Sequence, residues 1–202
     1  MSNFKGSLHN RGFLVSLVLL FNSFFGVFVL GKNGMYIIFA IYLLGFEGGS
    51  PLYHALGRQN GSRSKQLAQG GLILGHLLAF TTIPVLYLIG LLLIALYVGF
   101  ENPDINDSVY TADEADPDLA IINKYRFSTY GGLLCQLCLF ALLVTVSVWQ
   151  KLKLMAFFNP SGDSLKLTYL HGVAWPLLLI SLLLSIVTIY GQQYFKPMHP
   201  SH

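Results

Sequence analysis

Five long apolar runs dominate this chain of 202 residues and limit what it can fold into. They cover about 13–31, 35–56, 71–100, 127–149 and 167–191. A helix needs roughly 20 predominantly apolar residues to cross about 30 Å of hydrocarbon, and each run is long enough. The pattern predicts an all-α integral membrane helical bundle with five transmembrane helices. These helices would form a single polytopic membrane domain over residues 1–202.

Composition supports the same class. Hydrophobic residues make up 54% of the chain and charged residues only 10%, whereas soluble domains carry about 25% charged residues. The net charge of +3 is small and scattered, and no basic stripe predicts contact with nucleic acid. The expected partners are therefore the lipid bilayer and either further copies of the chain or other subunits of a membrane complex.

The distribution of lysine and arginine predicts the orientation, because basic residues in short loops mark the cytoplasmic side. With a cytoplasmic N-terminus, eight of the twelve basic residues fall in cytoplasmic segments. They are Lys5, Arg11, Arg58, Arg63, Lys65, Lys151, Lys153 and Lys166. Five spans then place the C-terminus on the opposite, outer side of the membrane.

Seven of the nine acidic residues lie in one window, 101–118, which reads ENPDINDSVYTADEADPD. In the five-span topology this window belongs to a long outer loop, 101–126. Charge runs of this kind usually form solvated surface segments. A cation-attracting vestibule is the alternative, although the spacing does not match a calcium-binding EF-hand loop.

The second apolar run contains an ionisable residue and a predicted break. Glu47 is followed by two glycines, and then Ser50 and Pro51 resemble the cap and first residue of a new helix. Interrupted membrane helices point to binding sites, and an ionisable residue inside a span is a functional hypothesis. Glu47, Ser50 and His54 are therefore candidate ligand-binding residues. We expect Glu47 to lie within protein rather than face lipid.

Three histidines, His54, His76 and His171, lie a few residues from the predicted cytoplasmic ends of three different spans. At a rise of 1.5 Å per residue they fall within roughly 10 Å of one depth. They are candidate metal ligands, and a facing pair would hold haem b. Their aromatic rings are equally typical of the interfacial belt of a membrane protein.

Two features predict local geometry within the spans. Pro84 should kink the third helix, since proline removes a backbone hydrogen bond inside a helix. The pairs Gly71 with Gly75 and Gly131 with Gly132 should allow close contacts between helices.

Three classes of function remain open from the sequence. The leading hypothesis is a non-enzymatic, multi-pass membrane protein that binds a lipid or small ligand, or serves as a subunit of a membrane assembly. The second is a redox, metal-dependent or haem-dependent membrane protein that uses His54, His76 and His171. The third is a subunit of a channel or transporter, which would oligomerise to enclose a pathway.

Overall fold

A computed structural model shows that every regular element in the described part of the chain is helical. The backbone is described for residues 2–112, 117–158 and 163–194. The side chains are described for residues 5–56, 62–109, 118–157 and 165–192. This confirms the all-α class predicted from the apolar runs.

Seven α-helices follow one another in the part of the chain that the structure describes. They are α1 (Ser2–Ser16), α2 (Asn22–Leu30), α3 (Gly34–Phe80), α4 (Pro84–Ala112), α5 (Pro117–Gln150), α6 (Asp163–Tyr169) and α7 (Trp175–Tyr194). The π-helical turns Leu17–Phe21 and Leu170–Ala174 join α1 to α2 and α6 to α7. Leu154–Phe158 forms a short 3₁₀ helix after α5.

Within the described ranges, five helical stretches are long and apolar enough to cross a membrane. They are Lys5–Leu30, Gly34–Leu56, Pro84–Val109, Asp118–Gln150 and Leu165–Gln192. Large apolar side chains also remain exposed along these helices, including Leu44, Leu137 and Val187. Exposed apolar faces on this scale are typical of helices that face hydrocarbon.

Helix α3 folds back on itself near its middle. A straight helix of its 47 residues would be about 70 Å long. However, the Ser64 hydroxyl donates a hydrogen bond to the Leu56 carbonyl 2.9 Å away, across eight residues. In a straight helix these residues would be about 12 Å apart. The chain therefore reverses between a first arm, residues 34–56, and a second arm, residues 62–80.

Both arms of α3 pack against α4, in opposite directions. Gly45 meets Ala95, and Gly49 meets the backbone of Gly99, so the first arm runs parallel to α4. In the second arm, a Cβ atom added to Gly75 would lie 2.8 Å from the carbonyl oxygen of Gly90. Glycine is required at these contacts because the backbones approach too closely for a side chain.

The prediction of one kinked helix over 71–100 is wrong. Helix α3 ends at Phe80 and α4 begins at Pro84. Thr82 between them has a φ of 52°, in the left-handed region that reverses the chain. Pro84 occupies the first turn of α4, where a backbone N–H has no acceptor within the helix, so its missing N–H costs no hydrogen bond. The predicted contact through Gly75 is present, but Gly71 has open space around it.

Two further local predictions are wrong. The predicted outer loop 101–126 is mostly helical, because α4 continues to Ala112 and α5 begins at Pro117. The predicted break after Glu47 is absent, because α3 continues through Ser50 and Pro51. Gly49 lies in this stretch because it packs against the α4 backbone, not because the helix ends there.

The first and last helices run antiparallel. Gln192, near the end of α7, donates a hydrogen bond of 2.6 Å to Ser7, near the start of α1. We call this the terminal end of the bundle. At the opposite end, Phe28 stacks on Tyr169 and Trp175 donates a hydrogen bond to the Phe80 carbonyl. The start of α1 and the end of α7 therefore lie at the same end of the bundle, because the chain reverses at 81–83, inside the stretch predicted as one span. The side of the membrane on which each terminus lies stays a prediction.

Candidate functional site

Buried polar side chains from four helices meet near the terminal end. Gln192 of α7 donates hydrogen bonds to Ser7 of α1 and to the Glu101 carboxylate of α4, the latter 2.8 Å long. Its own carbonyl oxygen accepts a bond of 3.2 Å from Gln69, on the second arm of α3. One turn further along α1, Asn10 accepts a hydrogen bond from Ser185. We call this group the polar cluster.

The polar cluster continues along one face of α7. Ser181, Ser185 and Gln192 recur at intervals of four and seven residues, which places them on the same helix face. Ser181 is hydrogen-bonded to His76 at 2.8 Å. Polar groups that face the interior of an apolar bundle join its helices by hydrogen bonds.

Four polar atoms of α1 and α4, two of them on the cluster residues Asn10 and Glu101, are buried without a hydrogen-bond partner in the described part of the chain. They are Asn10 Nδ2, Tyr97 Oη, Glu101 Oε2 and Asn102 Oδ1. A buried polar group left unpaired costs about 1–3 kcal/mol, so such atoms are normally satisfied by water, a proton or a ligand. The cluster therefore has unfilled hydrogen-bonding capacity.

The first part of the acidic window contributes to this region. Glu101 is only 4% exposed. Asp104, one turn further along α4, accepts a hydrogen bond from Tyr53 and forms an ion pair with Lys65 at 3.6 Å. At least these two acidic groups pack against α3 and α7, while Asp113, Glu114 and Asp116 lie outside the described residues.

Arg11 extends from α1 between three neighbouring helices. Its guanidinium lies over the Phe46 ring, 5.9 Å from the centroid, and its charge interacts with Glu101 and Tyr125. It is the only basic side chain in the first membrane-length stretch after Lys5.

The predicted ligand-binding residues share one helix face, but it is an outer face. Glu47 and His54 are exposed, and Ser50 is half-buried. The expectation that Glu47 lies within protein is therefore wrong for a single copy of this chain. The opposite face of the same helix packs against α4 through Gly45 and Gly49.

The structure does not bring the three predicted metal ligands together. His54 is exposed and its ring contacts Tyr53. His76 is fully buried, and its ring nitrogens bond to the Leu72 carbonyl and the Ser181 hydroxyl. His171 contacts Trp175, and it is ten residues, or about 15 Å, from Ser181 along the helix. Among the described residues no three histidine, cysteine or acidic side chains are grouped to hold a metal.

An apolar cavity of about 300 Å³ opens beside the bundle, with Leu20, Phe24, Leu139 and Phe157 in its walls. Gln136 and Tyr169 bring the polar groups among its lining residues. A lining of this kind accommodates a hydrocarbon chain. Lipid binding stays a prediction, and this cavity is a candidate site for it.

Sequence reasoning missed Glu101, Gln192, Asn10 and Gln69. Glu101 was grouped with the acidic window because its neighbours in the sequence are charged. One signal was available, because Ser181, Ser185 and Gln192 recur on one face of an otherwise apolar run. Their partners lie on other helices, and which helices meet α7 is decided by the tertiary structure alone.

The comparisons with known proteins give no family. No family model matches the chain, and neither a curated protein nor a solved structure matches it. The class therefore rests on the molecule itself. It is an all-helical bundle with five helices long and apolar enough to cross a membrane, which is compatible with a membrane protein.

Proposed function

We propose that this chain is a multi-pass integral membrane protein that serves as a non-enzymatic subunit of a membrane assembly. The observation that carries the proposal is the exposed position of Glu47. It lies two residues, or about 3 Å, from the centre of the stretch Gly34–Leu56. A charged side chain at the centre of a bilayer costs about 3 kcal/mol, and such residues almost always face protein.

The surface around Glu47 has the spacing of a helix-packing seam. Exposed or half-buried side chains recur along it at alternating intervals of four and three residues. They are Tyr36, Ala40, Leu43, Glu47, Ser50 and His54. That interval is typical of a left-handed pair of packed helices, in which small residues allow close approach. We call this surface the outer seam.

The occupant that best fits the outer seam is a membrane helix of another protein with a basic side chain at the depth of Glu47. A second copy fits less well. Arg11 and Arg126 are the innermost basic residues of the described membrane-length helices. They lie about 10 and 12 Å from the centres of their own stretches. A second copy would therefore bring two carboxylates together without a cation.

Photo-crosslinking from the outer seam tests this proposal. A photoreactive residue at Leu43, 57% exposed, should give one discrete adduct in native membranes. The same residue at Val187 on α7, 68% exposed, is the matched control and should give none. In the Leu43 background, Glu47→Leu should reduce the adduct at least fivefold and Glu47→Asp should largely retain it, because the carboxylate orients the partner.

The identity of the crosslinked partner shows whether it carries a basic side chain opposite Glu47. Mass spectrometry of the adduct should find a membrane helix with lysine or arginine, and replacing that residue by leucine should reduce the yield as Glu47→Leu does. Equal yields from Leu43 and Val187, or an adduct insensitive to Glu47→Leu, would contradict an assembly through the outer seam. An adduct of two copies of this chain would replace the proposed partner with a homo-oligomer.

A further inference from the structure

The carboxylate of Glu101 is buried without the bonds that an ionised carboxylate needs. A carboxylate offers about four acceptor positions. The side-chain amide of Gln192 donates a hydrogen bond to Glu101, and that nitrogen also bonds to Ser7. The Tyr97 hydroxyl, one turn earlier on α4, interacts with the same carboxyl group. The second oxygen, Oε2, has no partner. A neutral amide shared between two acceptors is weak compensation for burying a charge.

The charged groups around Glu101 do not complete its coordination. Arg11 of α1 and Lys65 of α3 act on it only through their charge. The ion pair formed by Lys65 is with Asp104, the next acidic residue along α4. Asp104 and Tyr97 are the other titratable groups near it on α4, and α7 presents the neutral Gln192. No described cation lies within bonding distance of Glu101.

A proton on Oε2 would resolve this arrangement. It changes an acceptor without a donor into an O–H donor that the Tyr97 hydroxyl oxygen can accept from. The Tyr97 hydroxyl is adjacent to the Glu101 carboxyl, one turn earlier on α4. Protonation also removes the buried charge itself, which is the larger penalty.

We propose that Glu101 is a proton-binding site within the bundle, loaded from the terminal end. The proton moves from a hydronium ion to Oε2, so that an O–H bond forms on the carboxyl group and water is released. The side-chain amide of Gln192 donates a hydrogen bond to Oε1, the other oxygen of Glu101. Gln192 lies two residues before the end of α7, so the site is close to the water at that end of the bundle. The proposal is independent of the outer seam, because Glu47 and Glu101 lie on different helices.

Infrared spectroscopy of the purified protein tests the proposal directly. The spectrum at neutral pH should contain a protonated-carboxyl carbonyl band that is lost in Glu101→Gln and kept in Glu47→Gln. The band should shift in D₂O within minutes, because the site exchanges protons with water. Glu101→Gln should also fold and melt like the parent protein, because glutamine is a neutral replacement of similar shape.

The infrared spectrum of Tyr97→Phe is a second test, and this substitution leaves the carboxyl group of Glu101 in place. It should keep the band but move it, because the protonated group loses a hydrogen-bond partner. A spectrum without a band that disappears in Glu101→Gln would overturn the proposal. So would a band that does not exchange in D₂O, or a Glu101→Gln protein that fails to fold, since that failure would show that the ionised form is required.

Discussion

Replacing Gly131 by leucine is expected to prevent stable packing of α5 against α1. A Cβ atom on Gly131 would overlap the backbone carbonyl of His9, and one on Gly12 would overlap the carbonyl of Ser128. Backbone atoms cannot rotate away as a side chain can. Overpacking of this kind typically costs 1–3 kcal/mol, and a leucine against backbone should exceed about 3 kcal/mol. Thermal unfolding in detergent should show a large loss of stability or aggregation.

Gly70→Leu is the matched control for this substitution. Gly70 also lies within a helix, but it is exposed and an added Cβ would meet nothing within 4 Å. Gly70→Leu should unfold at the same temperature as the parent protein or a higher one, because helix propensity favours leucine over glycine by up to about 1 kcal/mol. Similar melting of the two variants would show that α1 and α5 are not in backbone contact.

Reporters at the N-terminus and C-terminus should be found on the same side of the membrane. The hydrogen bond from Gln192 to Ser7 joins the start of the first long helix to the end of the last one. An even number of crossings is needed for this, and we expect the second arm of α3 to be the sixth beside the five apolar stretches. The expected effect is all-or-none, because each reporter is either accessible from one side or protected from it.

Cysteine labelling tests the end of the bundle opposite the termini. A Lys32→Cys variant, in the turn between α2 and α3, should be labelled from the side opposite both termini. That the N-terminus is cytoplasmic remains a prediction from the lysine and arginine distribution. Termini on opposite sides would contradict the antiparallel placement of α1 and α7 and would return the topology to five crossings.

The class of protein could be predicted from the sequence because hydrocarbon imposes a simple requirement. A helix that faces lipid must be apolar over roughly 20 residues, and that signal is local. The sequence pattern divides the second arm of α3, because residues 62–70 are mostly polar and 71–80 are apolar. Only three residues separate this apolar part from α4, so hydropathy joins the two into one run. The reversal at Thr82 leaves no mark on an averaged hydropathy.

The candidate site was harder to predict because its residues are distant in the sequence. Glu47 stood out as a charge inside an apolar run, and the structure leaves it exposed. Glu101 looked like one of several surface acids, yet it is buried against Gln192, 91 residues away. The three histidines shared a depth only under the five-span topology. Once α3 reverses, His76 bonds to Ser181 and not to another histidine.

The sequence by itself determined that this chain forms apolar helices and where most of them lie, because helix formation and the tolerance of apolar surface depend on neighbouring residues. The sequence pattern also predicts a connection after residue 56, where the first apolar arm ends. The tertiary structure alone decided that the chain reverses again at 81–83, because close glycine contacts bring both arms of α3 against α4. Those reversals bring the ends of α1 and α7 together and bury Glu101 between them, a result of contacts that no local pattern contains.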